Sequence, residues 1–99
     1  MNQKNVKRFT IIIPMHNAEK FIETALDSVR IQEFKNYECI VINDHSDDKS
    51  MEAVKQYIEN NPDIDFKLYE TPNDKWGPGT ARNIGLDNSS GEYILFLDA

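Results

Sequence analysis

The chain has 99 residues, 28% of them charged, and a formal charge of −6. That length makes one domain with a modest core, burying roughly 60 to 70% of the surface its unfolded form exposes. Its 11 basic residues are scattered apart from Lys4, Lys7 and Arg8, which excludes a nucleic-acid binder, because phosphate affinity comes from clustered Lys and Arg.

Met1 to Arg8 reads as a flexible polar tail. It lacks the apolar stretch of about 7 to 15 residues that a signal peptide needs, and no apolar run approaches the roughly 18 residues of a membrane span. A soluble, cytoplasmic protein is expected. Cys39 is the sole cysteine, so no internal disulfide is possible and the thiol is expected as a small buried hydrophobe in a strand.

From Phe9 to Ile13 the chain is almost unbroken apolar sequence closed by Pro14, the pattern of a strand buried on both faces. Ala18, Phe21, Ile22, Ala25, Leu26 and Val29 then recur three and four apart on one helical face, with Asn17 placed to cap the helix and Glu19 near its positive end. Glu38 to Asn43 repeats the buried-strand pattern and ends in the polar run Asp44 to Asp48. Met51, Val54, Tyr57 and Ile58 give a second helix its apolar face, Ser46 or Asp47 is placed to cap it, and Asn60-Asn61-Pro62 stops it.

Ile64, Phe66 and Leu68 alternate with Asp65, Lys67 and Tyr69, as in a half-exposed edge strand. A loop from Thr71 to Gly79 leads to a third helix from about Thr80 to Asn88, closed by Ser89-Ser90-Gly91. Gly91-Glu92 then launches the apolar residues Tyr93 to Leu97, which deliver Asp98. Strands alternating with helices predict an α/β fold: a three-layer parallel sheet of order 3-2-1-4 with right-handed crossovers and helices on both faces. The fourth strand reads as buried on both faces yet falls at an edge. A further strand or a partner is therefore expected beside it, self-association through that edge being one form.

In an open parallel sheet, ligands bind beyond the carboxyl ends of the strands where the strand order reverses, here between the first and fourth strands. The residues just past those ends are Pro14 to Asn17, Asn43 to Asp48, and Asp98. All four glycines fall after residue 76, so the first strand-to-helix turn has neither a dinucleotide fingerprint nor a phosphate loop.

Five blocks taken together resemble the family 2 glycosyltransferases of GT-A fold. They are Ile11-Ile12-Ile13-Pro14-Met15-His16-Asn17, Ala25-Leu26-Asp27-Ser28-Val29, Ile40 to Asp48, Gly79-Thr80-Ala81-Arg82-Asn83-Ile84-Gly85-Leu86, and Gly91 to Ala99. The resemblance implies that residues 9–99 are the N-terminal, nucleotide-sugar-binding half of a truncated glycosyltransferase domain. Such an enzyme moves a sugar from a nucleotide-sugar, commonly a UDP-sugar, to an acceptor hydroxyl with inversion at the anomeric carbon. The acceptor, whether lipid or polysaccharide at the cytosolic membrane face, is not encoded here.

By the same resemblance, Pro14, His16 and Asn17 flank the nucleotide base, Asp44 accepts the N3–H of uracil, and Arg82 with the start of the third helix takes the diphosphate. Asp98 matches the first acid of the Asp-x-Asp motif that holds Mn or Mg against the donor. Residues i and i+2 at a strand end point the same way and share one hard cation. The second acid would be residue 100, and the general base is expected beyond Ala99, so these residues alone are expected to be inactive, with weak or absent metal binding. The chain departs from the family's Asp-Asp-Gly-Ser block, with Asn43 for the first acid and His45 for the glycine. Trp76 to Gly79 fits either a donor-binding flap or an anchored loop. The alternative function is a stand-alone nucleotide-binding or interaction module without transfer chemistry.

Overall fold

The computed structural model describes residues 7–33 and 36–98. Seven elements alternate along the chain: β1 (Phe9–Met15), α1 (Ile22–Arg30), β2 (Tyr37–Asn43), α2 (Ser50–Asn60), β3 (Phe66–Glu70), α3 (Pro78–Asp87) and β4 (Tyr93–Phe96). The four strands form one parallel sheet of order β3-β2-β1-β4, the order expected from the sequence.

The alternation of side chains across the sheet sorts the core into two layers. Ile11, Ile13, Met15, Cys39 and Val41 pack with Ile22, Leu26 and Val29 of α1 and Val54 and Tyr57 of α2. On the other face, Ile12, Ile40 and Ile42 pack with Ala81 of α3. Helix α3 lies close to the sheet because Gly85 has no side chain. A Cβ there would stand 2.5 Å from Ile12 Cγ2. Cys39 is fully buried, and burial pushes its thiol up to about 12. It remains a protonated core residue, as expected.

Several local expectations are corrected. Strand β1 runs through Pro14, which pairs in register with Ile42. Ile12 O accepts from Leu97 N on the β4 side and Met15 O accepts from Asp44 N on the β2 side. Backbone groups alternate sides along a strand, so the missing Pro14 N–H faces past the last β1–β4 pair, Ile12 with Phe96, and no ladder bond is lost.

Helix α1 starts at Ile22, after a turn in which Ala18 O accepts from Phe21 N and Ile22 N. Asn17 does not cap it. Nor do Ser46 or Asp47 cap α2, whose first residue, Ser50, donates its N–H and its hydroxyl to Asp48 Oδ1. The Ser50 hydroxyl holds the Asp48 carboxyl below its ordinary value. Helix α3 begins at Pro78, so Arg82 sits in its second turn rather than at its start.

Strand β4 takes the expected edge position, and its apolar residues are left uncovered there. Tyr93, Leu95 and Phe96 are 52%, 44% and 49% exposed, because α3 lies over β1 and β2 and β4 has a strand on one side only. Of the expected tail, residues 1–6 lie outside the described residues. Lys7 O and Arg8 O already accept from Glu92 N and Tyr93 N.

At the amino end of the sheet, Glu38 is fully buried and surrounded by donors. Thr10 Oγ1 donates to it at 2.7 Å, Lys67 Nζ lies 2.7 Å away, and Ser90 donates both its N–H (2.6 Å) and its hydroxyl (3.0 Å). Burial alone would raise the Glu38 carboxyl. The hydrogen bonds from Lys67, Thr10 and Ser90 outweigh it and bring the group down to about 2.

Candidate functional site

The carboxyl ends of the strands carry a connected polar cluster. Asp44 follows β2 directly and is only 5% exposed, which a carboxylate tolerates only when it is hydrogen-bonded. Its Oδ1 accepts from Thr71 Oγ1 at 3.0 Å and from the backbone N–H of Gly77 at 2.8 Å. Its Oδ2 takes no bond from the described residues, and no buried side-chain oxygen among them lacks a partner. That second oxygen is therefore not completely sealed from solvent. Gly77 is the residue before α3, so the same carboxylate fixes where α3 begins.

Two histidines flank Asp44 and their tautomers follow from the network. His16 Nδ1 lies 2.6 Å from Asp44 O. A carbonyl only accepts, so Nδ1 carries the proton and Nε2 accepts from Asn17 Nδ2 at 3.5 Å. Thr71 has one hydroxyl proton, which it gives to Asp44. The 2.9 Å contact between His45 Nδ1 and Thr71 Oγ1 therefore has the imidazole as donor. Both rings lie against Trp76, His45 at 4.6 Å and 28° and His16 at 6.5 Å and 22°. Trp76 is 54% exposed and presents an aromatic surface beside the carboxylate. The loop it belongs to is thus anchored at Gly77 and at the stacked rings.

Behind this cluster the loops after β1 and β2 are laced together. Asn17 N donates to Ser46 Oγ, Asn17 Oδ1 accepts from Asp47 N at 2.6 Å, Ala18 N donates to Ser50 Oγ, and Glu19 N donates to Asp48 Oδ2. Glu19 Oε1 accepts from Lys49 N, so its carboxylate serves the start of α2, not α1. Asn17 takes φ 48° to do this, a left-handed conformation that asparagine tolerates better than most residues. Its side-chain oxygen is used by the fold.

The structure brings together His16, Asn17 and Asp44, with Pro14 at the end of β1. It adds Thr71, His45, Trp76 and Gly77, of which sequence reasoning missed Thr71 altogether. Arg82 and Asp98 are both exposed. Asp98 follows β4 at the same carboxyl edge, while Arg82 lies one turn into the helix that Gly77 opens. Neither side chain makes a hydrogen bond or ion pair with the described residues. No group of three or more His, Cys, Asp or Glu side chains among the described residues could hold a metal ion.

A cleft of about 230 Å³ lined by Asn43, His45, Ser46, Glu70, Thr71 and Asn73 adjoins the cluster. Larger cavities lie away from it: one of about 410 Å³ at the amino end of the sheet, an apolar one of about 370 Å³ between α1 and β4, and one of about 300 Å³ between α1 and α2. No described helix is long and apolar enough to cross a membrane.

Comparison with known proteins finds relatives in sequence and in fold. The profile of Glycosyl transferase family 2 matches residues 10–99. Glycosyltransferase GlyA of Streptococcus pneumoniae is 37% identical over 92 residues, covering 93% of this chain and 13% of GlyA. The poly(ribitol-phosphate) β-N-acetylglucosaminyltransferase TarS of Staphylococcus aureus, solved with UDP-GlcNAc, superposes with a TM-score of 0.81 at 32% identity, covering 92% of this chain and 26% of that one. The Pyrobaculum calidifontis mannosyltransferase PcManGT, solved with GDP-Man and Mn2+, gives a TM-score of 0.86 at 28% identity, covering 98% and 28%. The parallel sheet and its flanking helices match the sheets of these GT-A glycosyltransferases, and the chain spans between 13% and 28% of the three proteins' lengths.

Proposed function

The chain belongs to glycosyl transferase family 2, and from that premise we propose that its carboxyl-edge cluster binds the nucleotide of a UDP-sugar whose sugar the whole protein transfers to an acceptor hydroxyl. The observation that carries this reading is the state of Asp44. One oxygen is held by Thr71 and Gly77, and the other takes no bond from the described residues and is not completely sealed from solvent. A carboxylate held this way accepts a ring N–H and repels a ring nitrogen lone pair. It therefore selects uracil, whose N3 carries a proton, over cytosine, whose N3 does not. His16 and Trp76 offer the flat surface on which the base rests.

The diphosphate extends from the base toward α3, where the backbone N–H groups of the first turn and the Arg82 guanidinium supply positive potential. Pro14, near the end of β1, lies beneath the base, and Asn17 serves by holding the loops rather than by touching the ligand. Asp98 supplies one hard oxygen at the end of β4. Mg2+ or Mn2+ suits that donor, because such ions are commonly held by one or two carboxylates plus substrate phosphates. When bound, the cation neutralises charge on the departing diphosphate.

Transfer proceeds with inversion. The acceptor oxygen forms its bond to the anomeric carbon as the bond to the phosphate oxygen breaks. The electron pair leaves with UDP, and the acceptor proton passes to a general base. No described residue is assigned as that base, and the donor-binding half is proposed to hold the donor rather than to turn it over by itself. A second reading, donor recognition through guanine, is favoured by the GDP-Man complex of PcManGT, because guanine also presents N–H groups to a carboxylate.

Titration with UDP, monitored by backbone amide NMR, tests the site. Shifts at Thr71, Gly77 and Arg82 are expected. A spectrum unchanged at all three, with UDP in large excess, overturns the reading, and a response to GDP alone replaces uracil by guanine.

A further inference from the structure

We propose that His45 is a positioning residue for nucleobase selection, acting on Asp44 through the Thr71 hydroxyl and holding Trp76 in place; the inference rests on the donor-binding reading above. Three observations carry it. His45 occupies φ 54°, a backbone region that costs a residue with a side chain. Its imidazole then makes two contacts that glycine could not, the 2.9 Å hydrogen bond to Thr71 Oγ1 and the 4.6 Å stack on Trp76. Both contacts lead to the same carboxylate, since Thr71 donates to Asp44 Oδ1 and Gly77, next to Trp76, donates to it as well.

The proton count makes the relay directional. With one of its two lone pairs accepting from His45 Nδ1–H, the Thr71 hydroxyl gives its single proton to Asp44 Oδ1, and successive hydrogen bonds polarise one another. Oδ1 is thereby committed to the protein and Oδ2 is turned outward. Without the imidazole, Thr71 is free to rotate toward water, and the loop from Thr71 to Gly77 loses the ring beneath Trp76. The carboxylate then rotates and offers its oxygens less selectively. His45 thus acts on specificity through Asp44 and has no contact of its own with the base.

The test compares four variants of the chain by calorimetric titration with UDP and CDP, with the fluorescence of Trp76, the sole tryptophan, as a second signal. His45→Gly removes the imidazole and relaxes the backbone. It is expected to reduce the UDP-over-CDP preference about five- to tenfold, the scale of one lost hydrogen bond, and to alter Trp76 emission. Thr71→Val, which keeps the shape and removes the hydroxyl, should reduce the preference to the same degree. His45→Asn places an amide N–H at the position of Nδ1 and tolerates positive φ, so it should restore most of the preference without restoring the stack.

A merely structural histidine would not show that rescue. If His45→Gly and Thr71→Val keep the preference while Asp44→Asn loses it, the positioning role is overturned and base recognition stands. If Asp44→Asn keeps it too, base recognition falls and the positioning role with it. Should His45→Gly fail to fold, His45→Asn against Thr71→Val decides: equal loss in both overturns the relay.

Discussion

Gly77 donates its backbone N–H to the Asp44 carboxylate at 2.8 Å, across 33 residues of sequence. This bond joins the end of β2 to the beginning of α3, so the residue proposed to read the base also sets the helix proposed to hold the diphosphate. On that proposal, the groups that meet the two halves of a donor nucleotide stand at a fixed separation. Binding then loses less entropy than it would to parts that must first be ordered.

The amino end of the sheet should set the acid limit of stability. Glu38 sits at about 2 against an ordinary 4.5, a depressed value, so its contribution is fully present above about pH 4.5 and is lost as pH falls toward 2. The shift corresponds to on the order of 3 kcal/mol. Glu38→Gln should remove most of that acid dependence and destabilise the fold at neutral pH, because every partner of the carboxylate is a donor and the amide presents a donor of its own. Urea unfolding at a series of pH values measures both effects, and an unchanged acid slope in Glu38→Gln would refute the assignment.

Gly91→Ala should destabilise strongly. The added methyl would stand 2.6 Å from Phe9 C and from Thr10 N, backbone atoms of the central strand that cannot move aside as a flexible side chain does. A loss of about 2 kcal/mol or more is expected, with weakened protection of the Tyr93 amide, which bonds Arg8 O. Thermal unfolding together with hydrogen exchange reads both.

The free edge of β4 should pair with a second copy of the chain. Tyr93, Leu95 and Phe96 are roughly half exposed, and unpaired strand edges template association. Sedimentation at rising concentration is expected to show dimers, and Leu95→Lys should return the chain to monomer. A wild-type monomer at high concentration would refute the pairing.

Asp98 should account for whatever divalent metal contributes to UDP binding. With one carboxylate as ligand, Mg2+ is expected to tighten UDP only about two- to threefold, and Asp98→Asn should abolish that increment while leaving metal-free binding unchanged. A larger effect of metal that survives Asp98→Asn would move the cation elsewhere.

Much of the fold was legible in the sequence because its signals are local. Ile11 to Ile13 and Ile40 to Ile42 are continuous apolar runs, whereas Phe66 to Tyr69 alternate, and that contrast alone separates the buried central strands from the β3 edge. The errors arose where partners are distant. Asn17 has the chemistry of a helix cap, but its side chain bonds Asp47 in another loop, 30 residues on. Thr71 carries no periodic or motif signal, and its importance appears only when β3 ends beside β2. Strand β4 is apolar enough for burial on both faces, and its place at the sheet edge leaves that surface uncovered. Glu38 stands at the end of an apolar run, and nothing local indicates that Thr10, Lys67 and Ser90 converge on it.

The central claim is that Asp44 reads the nucleobase, and titration of wild type and Asp44→Asn with UDP and CDP tests it most directly. The asparagine keeps an oxygen for Thr71 and Gly77 and replaces the outward oxygen by an N–H donor. The account predicts that UDP affinity falls at least about tenfold while CDP affinity holds or rises, the expected scale for a mispaired polar contact. Equal UDP and CDP affinities in the wild type, or a UDP preference that survives Asp44→Asn, would contradict it.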